Sequence, residues 1–265
     1  MNINVEPFKN NIGASISCDL KSIDVKGVER VKEALTNFGF VSFRNQDLDP
    51  KEYLNFAKQL GKIKEYPMLK DLENYKGITV VERKEEDKGK SYGEGWHTDS
   101  SYLNKTPRYT CLMGKIVKKD QGETLFASQL ASYHALDDKT KDKIEKLIGI
   151  FSSSGPISVT RLEREAERGT GKAKSFIAEH PIVKNVGNKK ALYLSPGHTI
   201  AIKNLPDKES KDLLKYLFNH QTKKEFQMSF FWQKNSIVVW DNYSIIHSAT
   251  PFVGRRLMHR IILDA

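Results

Sequence analysis

Cysteine is nearly missing: Cys18 and Cys111 are the only two in 265 residues. Two cannot build a disulfide framework, and there is no CxxC pair for zinc or redox work. Free thiols in a reducing, cytoplasmic setting are therefore expected. No apolar run approaches the roughly 18 residues that a membrane-spanning helix needs. The opening MNINVEPFKNNIGASISCDL has no basic stretch followed by an apolar core, so no secretory signal is expected. No internal repeat is visible, which excludes solenoid and collagen-like arrays. Acidic residues are short of basic ones, 33 against 43, giving a formal net charge of +10. Such an excess asks for an anionic partner: nucleic acid, a membrane surface or a small molecule. There is no helix-turn-helix or zinc-finger pattern, and the basic residues are spread along the chain. Neither nucleic acid nor membrane is the expected partner.

With 38% hydrophobic and 29% charged residues, the chain has enough apolar material for a real core under a polar surface. The spacing predicts a helix over Asp24–Phe38, with Val28, Val31, Ala34 and Leu35 on one face and Gly39 as its stop. Phe40–Phe43 reads as a short strand. Asp49-Pro50 opens a second helix that runs to Leu60 and closes at Gly61. Gly77–Val81 reads as a strand. Lys84–Gly95 is charged and glycine-rich and reads as a mobile loop. Two helices fill Ser128–Leu147, broken at Asp137-Asp138. Ser152–Ser175 is polar and long for a connection, as a lid would be. Pro181–Lys184 and Ala191–Leu194 suggest a hairpin around residues 185–188, and Pro206–His220 a helix. Strands are expected where Phe226, Met228, Phe230 and Trp232 alternate, at Ile237–Trp240 and at Leu257–Leu263. The pattern predicts a mainly β fold with helices packed outside, in one domain over residues 1–265 with lid loops at 84–95 and 152–175.

Of seven histidines, only His97 has a carboxylate two positions on, in His97-Thr98-Asp99. Chance gives about one such pair in this composition, so the motif is weak alone. It opens an apparent strand, Trp96–Tyr102, where residues i and i+2 face one side and can reach one metal. A third ligand is needed, and His247, just past Ile237–Trp240, is the best candidate. Two histidines and one carboxylate on one octahedral face are the facial triad of non-haem Fe(II) oxygenases. On spacing alone the alternative stands that His97 and Asp99 form a surface ion pair and His247 is a turn residue. The arginines add weight. In RRLMHR (255–260), residues 256, 258 and 260 share a face of the last strand. Two guanidinium groups on a buried face are costly unless each meets an anion, and arginine suits carboxylates. His134, His180 and His220 sit in helix or hairpin contexts and are assigned no function.

Five blocks now carry a resemblance: GWHTDSSY (95–102), GETLFAS (122–128), ALYLSPGHT (191–199), WDNYSIIH (240–247) and RRLMHRIILD (255–264). In this order and spacing the chain resembles the taurine/chlorophenoxyacetate dioxygenase family of Fe(II)/2-oxoglutarate oxygenases, over about Val5 to Asp264. The resemblance implies a double-stranded β-helix (a jelly roll of cupin type). It implies Fe(II) held by His97, Asp99 and His247, and 2-oxoglutarate and O2 as cosubstrates. It implies the far carboxylate of 2-oxoglutarate on Arg256 with Thr124 beside it, and Arg260 toward the prime substrate. Trp240 and Asp241 would support the site. A small anionic molecule would be hydroxylated, with release of succinate and CO2, by a dimer or tetramer. Asp99 argues against the halogenating variant, which lacks that carboxylate. Candidate substrate contacts are Tyr66, Ser100, Tyr102, His198 and Arg260. Tyr66 stands where taurine enzymes carry a histidine, Leu69 replaces a tyrosine, Gly93 or a neighbour replaces an asparagine, and His198 stands for a phenylalanine. Taurine itself is therefore not the expected substrate. The competing reading is a cupin-type metal-binding barrel without oxygenase chemistry, which would have no use for Arg256.

Overall fold

Local signals set the first elements. The Asp24 carboxylate accepts from the Gly27 N–H and starts a helix at Val25. Its Val28, Val31, Ala34 and Leu35 are buried on one face, each of the larger ones worth about 1.5–3 kcal/mol. Gly39 ends it at φ +80°, and a Cβ there would lie 2.7 Å from Ile245 Cδ1, so only glycine fits. The next helix carries a capping box, Asp49 bonded to the Glu52 N–H and Glu52 bonded back to the Asp49 N–H.

The computed structural model describes residues 3–66, 69–158 and 175–264. Its strands are β1 (Asn4–Pro7), β2 (Ala14–Ser17), β3 (Phe40–Phe43), β4 (Lys62–Lys64), β5 (Asp71–Leu72), β6 (Tyr75–Arg83), β7 (Tyr109–Ile116), β8 (Thr124–Ser128), β9 (Ile148–Ser152), β10 (Ile177–Pro181), β11 (Val183–Val186), β12 (Lys189–Leu192), β13 (Thr199–Ile202), β14 (Gln227–Phe230), β15 (Ile237–Asp241), β16 (Ile245–Ala249) and β17 (Arg256–Asp264). Its helices are α1 (Val25–Phe38), α2 (Pro50–Leu60), α3 (Gln129–His134), α4 (Asp138–Ile144) and α5 (Asp207–Gln221). None of the described helices is long and apolar enough to cross a membrane.

The large sheet runs β1-β2-β3-β15-β7-β17-β6-β5, with β4 also paired to β17. A smaller sheet, β14-β8-β16, faces it. Between them lies a core of Phe40, Val238, Trp240 and Met258 from the large sheet against Phe126, Phe230 and Ile245 from the smaller one. Phe40 stacks on Phe126 with ring centroids 4.2 Å apart. Strand β15 is buried on both faces: Val238 and Trp240 point into this core, Ile237 and Val239 into a second one under α1 and α2. A third core joins α3, α4 and α5 to β11, β12 and β13. This is the mainly β fold with outer helices that the pattern predicts, arranged as the jelly roll that the resemblance implies.

Three local expectations need correction. Trp96–Tyr102 is not a strand: apart from one bridge between His97 and His247 it runs as turns, and Ser100 takes a left-handed φ of +51°. The alternating run from Phe226 is a strand only over Gln227–Phe230, because residues 224–226 form a single 3-10 turn. The hairpin around residues 185–188 turns on Gly187-Asn188 alone, with Val186 paired to Lys189. Most of the expected lid at 152–175 lies outside the described residues. Lys84–Gly95 has no helix or ladder. Arg83 donates to the Asp87 and Gly89 carbonyls there, and the Gly95 N–H donates to Ser248 Oγ.

Candidate active site

The site is assembled by pairing. Strand β16 carries His247 opposite Phe126 of β8. His97 joins its free side: each of the two histidines donates its backbone N–H to the other's carbonyl, both at 2.9 Å. Two residues on, the turn at Ser100 brings Asp99 round to the same point. Asp99 Oδ1 lies 3.9 Å from His97 Nε2 and 4.0 Å from His247 Nε2. One ligand atom from each of the three falls within 4.8 Å of the others, and all three residues are buried. His97 Nδ1 donates to the Gly95 carbonyl at 2.8 Å, which leaves Nε2 with its lone pair toward the cluster.

The electrostatics suit a cation. Burial lowers His97, and burial together with His97 brings His247 down to about 3, so both rings are neutral near pH 7. Burial alone would raise the Asp99 carboxyl, but the Arg260 guanidinium and the Thr110 hydroxyl hold it below the ordinary carboxylate range. Two neutral imidazoles and an ionised carboxylate are the donor set that Fe(II) takes on one face.

Two cavities meet at this cluster, sharing Tyr92, Gly93, His97 and Asp99. The first encloses about 640 Å³, mouth included, and is mostly apolar, with Leu112, Trp240, Phe252 and Met258 in its wall. Besides the triad and Tyr92, its polar groups come from Thr124, Arg256 and Arg260, with Glu82 and Arg83 also in the lining. Residues 256, 258 and 260 thus share one face of β17, as expected. Arg256 is 9% exposed and no described carboxylate pairs with it. It donates to the Gly122 carbonyl at 2.6 Å and sits over the Phe252 ring at 4.9 Å. Burial brings its guanidinium down to about 10. Gly122 takes φ +66°, and a Cβ there would lie 2.7 Å from Arg256 Nη1, so this glycine makes room for the arginine. Thr124 Oγ1 accepts from Trp232 Nε1 at 2.9 Å. Arg260 lies against Asp99 Oδ1 at 3.5 Å and over the Tyr66 ring at 4.0 Å, with Nε and Nη2 buried and lacking a hydrogen-bond acceptor among the described residues.

The second cavity is lined by hydroxyls. Tyr66, Ser100, Tyr102 and His198, all candidates from the sequence, come together there with Ser153 and Ser158. Tyr66 Oη lies 2.8 Å from Tyr92 Oη and 3.2 Å from Tyr102 Oη. Burial raises these phenols, Tyr102 to about 12, so they stay protonated. His198 Nδ1 sits 3.0 Å from Ser101 Oγ and its ring meets Tyr102 edge-on. His180 and His220, given no function, bond to the carbonyls of Leu103 and Ser132. Sequence reasoning missed Tyr92, hidden in a charged loop, and Thr110, whose hydroxyl meets Asp99 Oδ2 at 2.8 Å. Asn242 was within reach, since it sits inside WDNYSIIH. Asp241 is a structural anchor, held by Arg108 at 2.6 Å and outside both cavities.

The family model for taurine catabolism dioxygenase TauD, TfdA family, matches residues 4–262. The chain belongs to the TauD, TfdA family. It is a 2-oxoglutarate-dependent dioxygenase, in line with the resemblance read from the five blocks. Its relatives include an alpha-ketoglutarate-dependent sulfate ester dioxygenase from Pseudomonas putida, 26% identical, the match covering 99% of this chain and 90% of the relative. An alpha-ketoglutarate-dependent 2,4-dichlorophenoxyacetate dioxygenase from Cupriavidus pinatubonensis is 24% identical over 92% of this chain and 90% of its own. Among solved structures, a taurine dioxygenase from Burkholderia xenovorans shares the TauD fold with a TM-score of 0.84, at 24% identity, covering 99% of this chain and 89% of that one.

Proposed function

We propose that this TauD-family dioxygenase binds Fe(II) through His97, Asp99 and His247 and hydroxylates a small anionic organic molecule. The substrate is a sulfate ester, a sulfonate, or an aryloxy or other carboxylate, and succinate and CO2 are released. One observation carries the reading most: a triad of metal-ligand type and two buried guanidinium groups line one cavity. The donor set fits the metal, since His97 Nδ1 is already committed to a carbonyl and its Nε2 is left to ligate. Bound iron, with 2-oxoglutarate and O2, supplies the oxidising chemistry. The residues of this chain bind, orient and exclude water. Arg256, lacking a carboxylate of its own, takes the far carboxylate of 2-oxoglutarate beside Thr124 and fixes the cosubstrate's orientation. Arg260 offers unused N–H donors to an anionic group. Tyr66, Ser100, Tyr102 and His198 form a hydroxyl-rich wall for the prime substrate. Taurine is not the expected substrate, because Tyr66, Leu69 and His198 stand where taurine enzymes differ.

In this reading residues 1–265 act as one domain, with 84–95 at the mouth of the site, in a cytoplasmic homo-oligomer. A panel of sulfate esters, sulfonates, aryloxy acids and small carboxylates, with Fe(II) and 2-oxoglutarate, tests it. At least one class should give O2-dependent succinate well above the substrate-free rate. No O2-dependent succinate above the substrate-free rate from any class would overturn the reading of a small anionic substrate.

A further inference from the structure

Asp99 has two oxygens in different surroundings. Oδ1 faces His97 Nε2, His247 Nε2 and Arg260. Oδ2 faces away, to the hydroxyl of Thr110 at 2.8 Å. That hydroxyl lies 2.9 Å from Asn242 Nδ2, and Asn242 Oδ1 lies 3.1 Å from Trp240 Nε1. Thr110 and Asn242 are 0% exposed and Trp240 is 1%.

The direction of this chain follows from chemistry. An indole N–H can only donate, so the amide oxygen of Asn242 must face Trp240. Its NH2 group then faces Thr110, and also the Pro107 carbonyl at 3.3 Å. The Thr110 oxygen accepts from that amide, so its one hydrogen goes to Asp99 Oδ2. The Asn242 backbone N–H donates to the Arg108 carbonyl at 2.8 Å and locks the link in place. Trp240 also touches the second histidine, with ring centroids 4.7 Å apart. His247 needs that contact, because its Nδ1 is buried with no hydrogen-bond partner among the described residues, whereas His97 Nδ1 has the Gly95 carbonyl.

We infer that Trp240, Asn242 and Thr110 form a one-way hydrogen-bond relay that holds Asp99 to the metal through Oδ1 alone, and that Trp240 also orients His247. All three are positioning residues. Occupying Oδ2 prevents the carboxylate from chelating through both oxygens, which would take a coordination position that the cosubstrates need. The inference rests on the reading of His97, Asp99 and His247 as the ligand set.

Co(II) binding to the metal-free protein tests it, read by chelator competition and by the visible cobalt absorption. Wild type should bind and His97→Ala should not; failure here removes the ligand set itself. Thr110→Val, nearly isosteric, should bind about ten- to a hundredfold more weakly, with an altered cobalt spectrum. Thr110→Ser should restore both to near wild type. Trp240→Phe keeps the ring and loses the N–H, so it should weaken binding too, and adding it to Thr110→Val should cost little more, because both cut one chain. Wild-type affinity and spectrum in Thr110→Val or in Trp240→Phe would overturn the relay while leaving the ligand set standing. So would full additivity of the two variants.

Discussion

Replacing Arg256 by methionine separates recognition from stability. The side chain is buried without a counter-ion, and burial lowers its guanidinium to about 10 from an ordinary 12.5. A cation whose folded-state pKa is lowered costs stability at every pH below about 10, and the cost fades to nothing by about 12.5. Here it amounts to about 3 kcal/mol at neutral pH. Methionine removes that cost and also removes the bond to the Gly122 carbonyl, worth about 1.5–3 kcal/mol. The two nearly cancel, so the metal-free Arg256→Met protein should unfold in urea within about 1.5 kcal/mol of wild type. Binding of 2-oxoglutarate behaves differently. Losing a two-pronged, charge-assisted contact to a carboxylate costs about 3–4 kcal/mol, or a hundred- to a thousandfold in apparent KM. Succinate release against 2-oxoglutarate concentration reads that shift. A KM within threefold of wild type would refute the anchor. A loss of more than about 4 kcal/mol in the metal-free protein would make Arg256 a structural residue instead.

Other changes should leave the chemistry alone. Asp241→Ala strips the partner from Arg108, the Tyr243 N–H and Ser244 Oγ, and should cost about 3 kcal/mol in urea unfolding, with turnover per folded molecule close to wild type. Asp49→Ala breaks the capping box of α2 and should cost about 1 kcal/mol with no effect on the KM for 2-oxoglutarate. Cys111 is 0% exposed whereas Cys18 is partly exposed, so native protein should react with a thiol reagent at Cys18 alone, slowly because burial raises that thiol to about 11, and at both only after unfolding.

What could be read ahead of the structure follows the range of the forces involved. Helix α2 was legible because its start and stop are written in neighbouring residues, Asp49, Pro50 and Gly61. The face shared by Arg256, Met258 and Arg260 was legible because a strand alternates strictly. The spacing of His97 and Asp99 points to the right pair through the wrong local geometry. A strand was expected, but a turn at Ser100 and a single bridge to His247 bring the two side chains together. Tertiary pairing replaced the local rule there. Thr110 and Asn242 were invisible as a unit, since they stand 132 residues apart and meet only when β7 and β15 pair. The contact of Arg260 with Asp99 spans 161 residues. Tyr92 was hidden for another reason: its charged, glycine-rich neighbours predict exposure, yet its hydroxyl bonds to Tyr66 at the junction of both cavities.

The central claim, that His97, Asp99 and His247 hold the iron to which 2-oxoglutarate binds, is tested most directly without oxygen. Fe(II) and then 2-oxoglutarate are added anaerobically to the metal-free protein while the visible spectrum is recorded. A charge-transfer band should appear in wild type and be absent in His97→Ala. No band in wild type, or the same band in His97→Ala, would contradict the account.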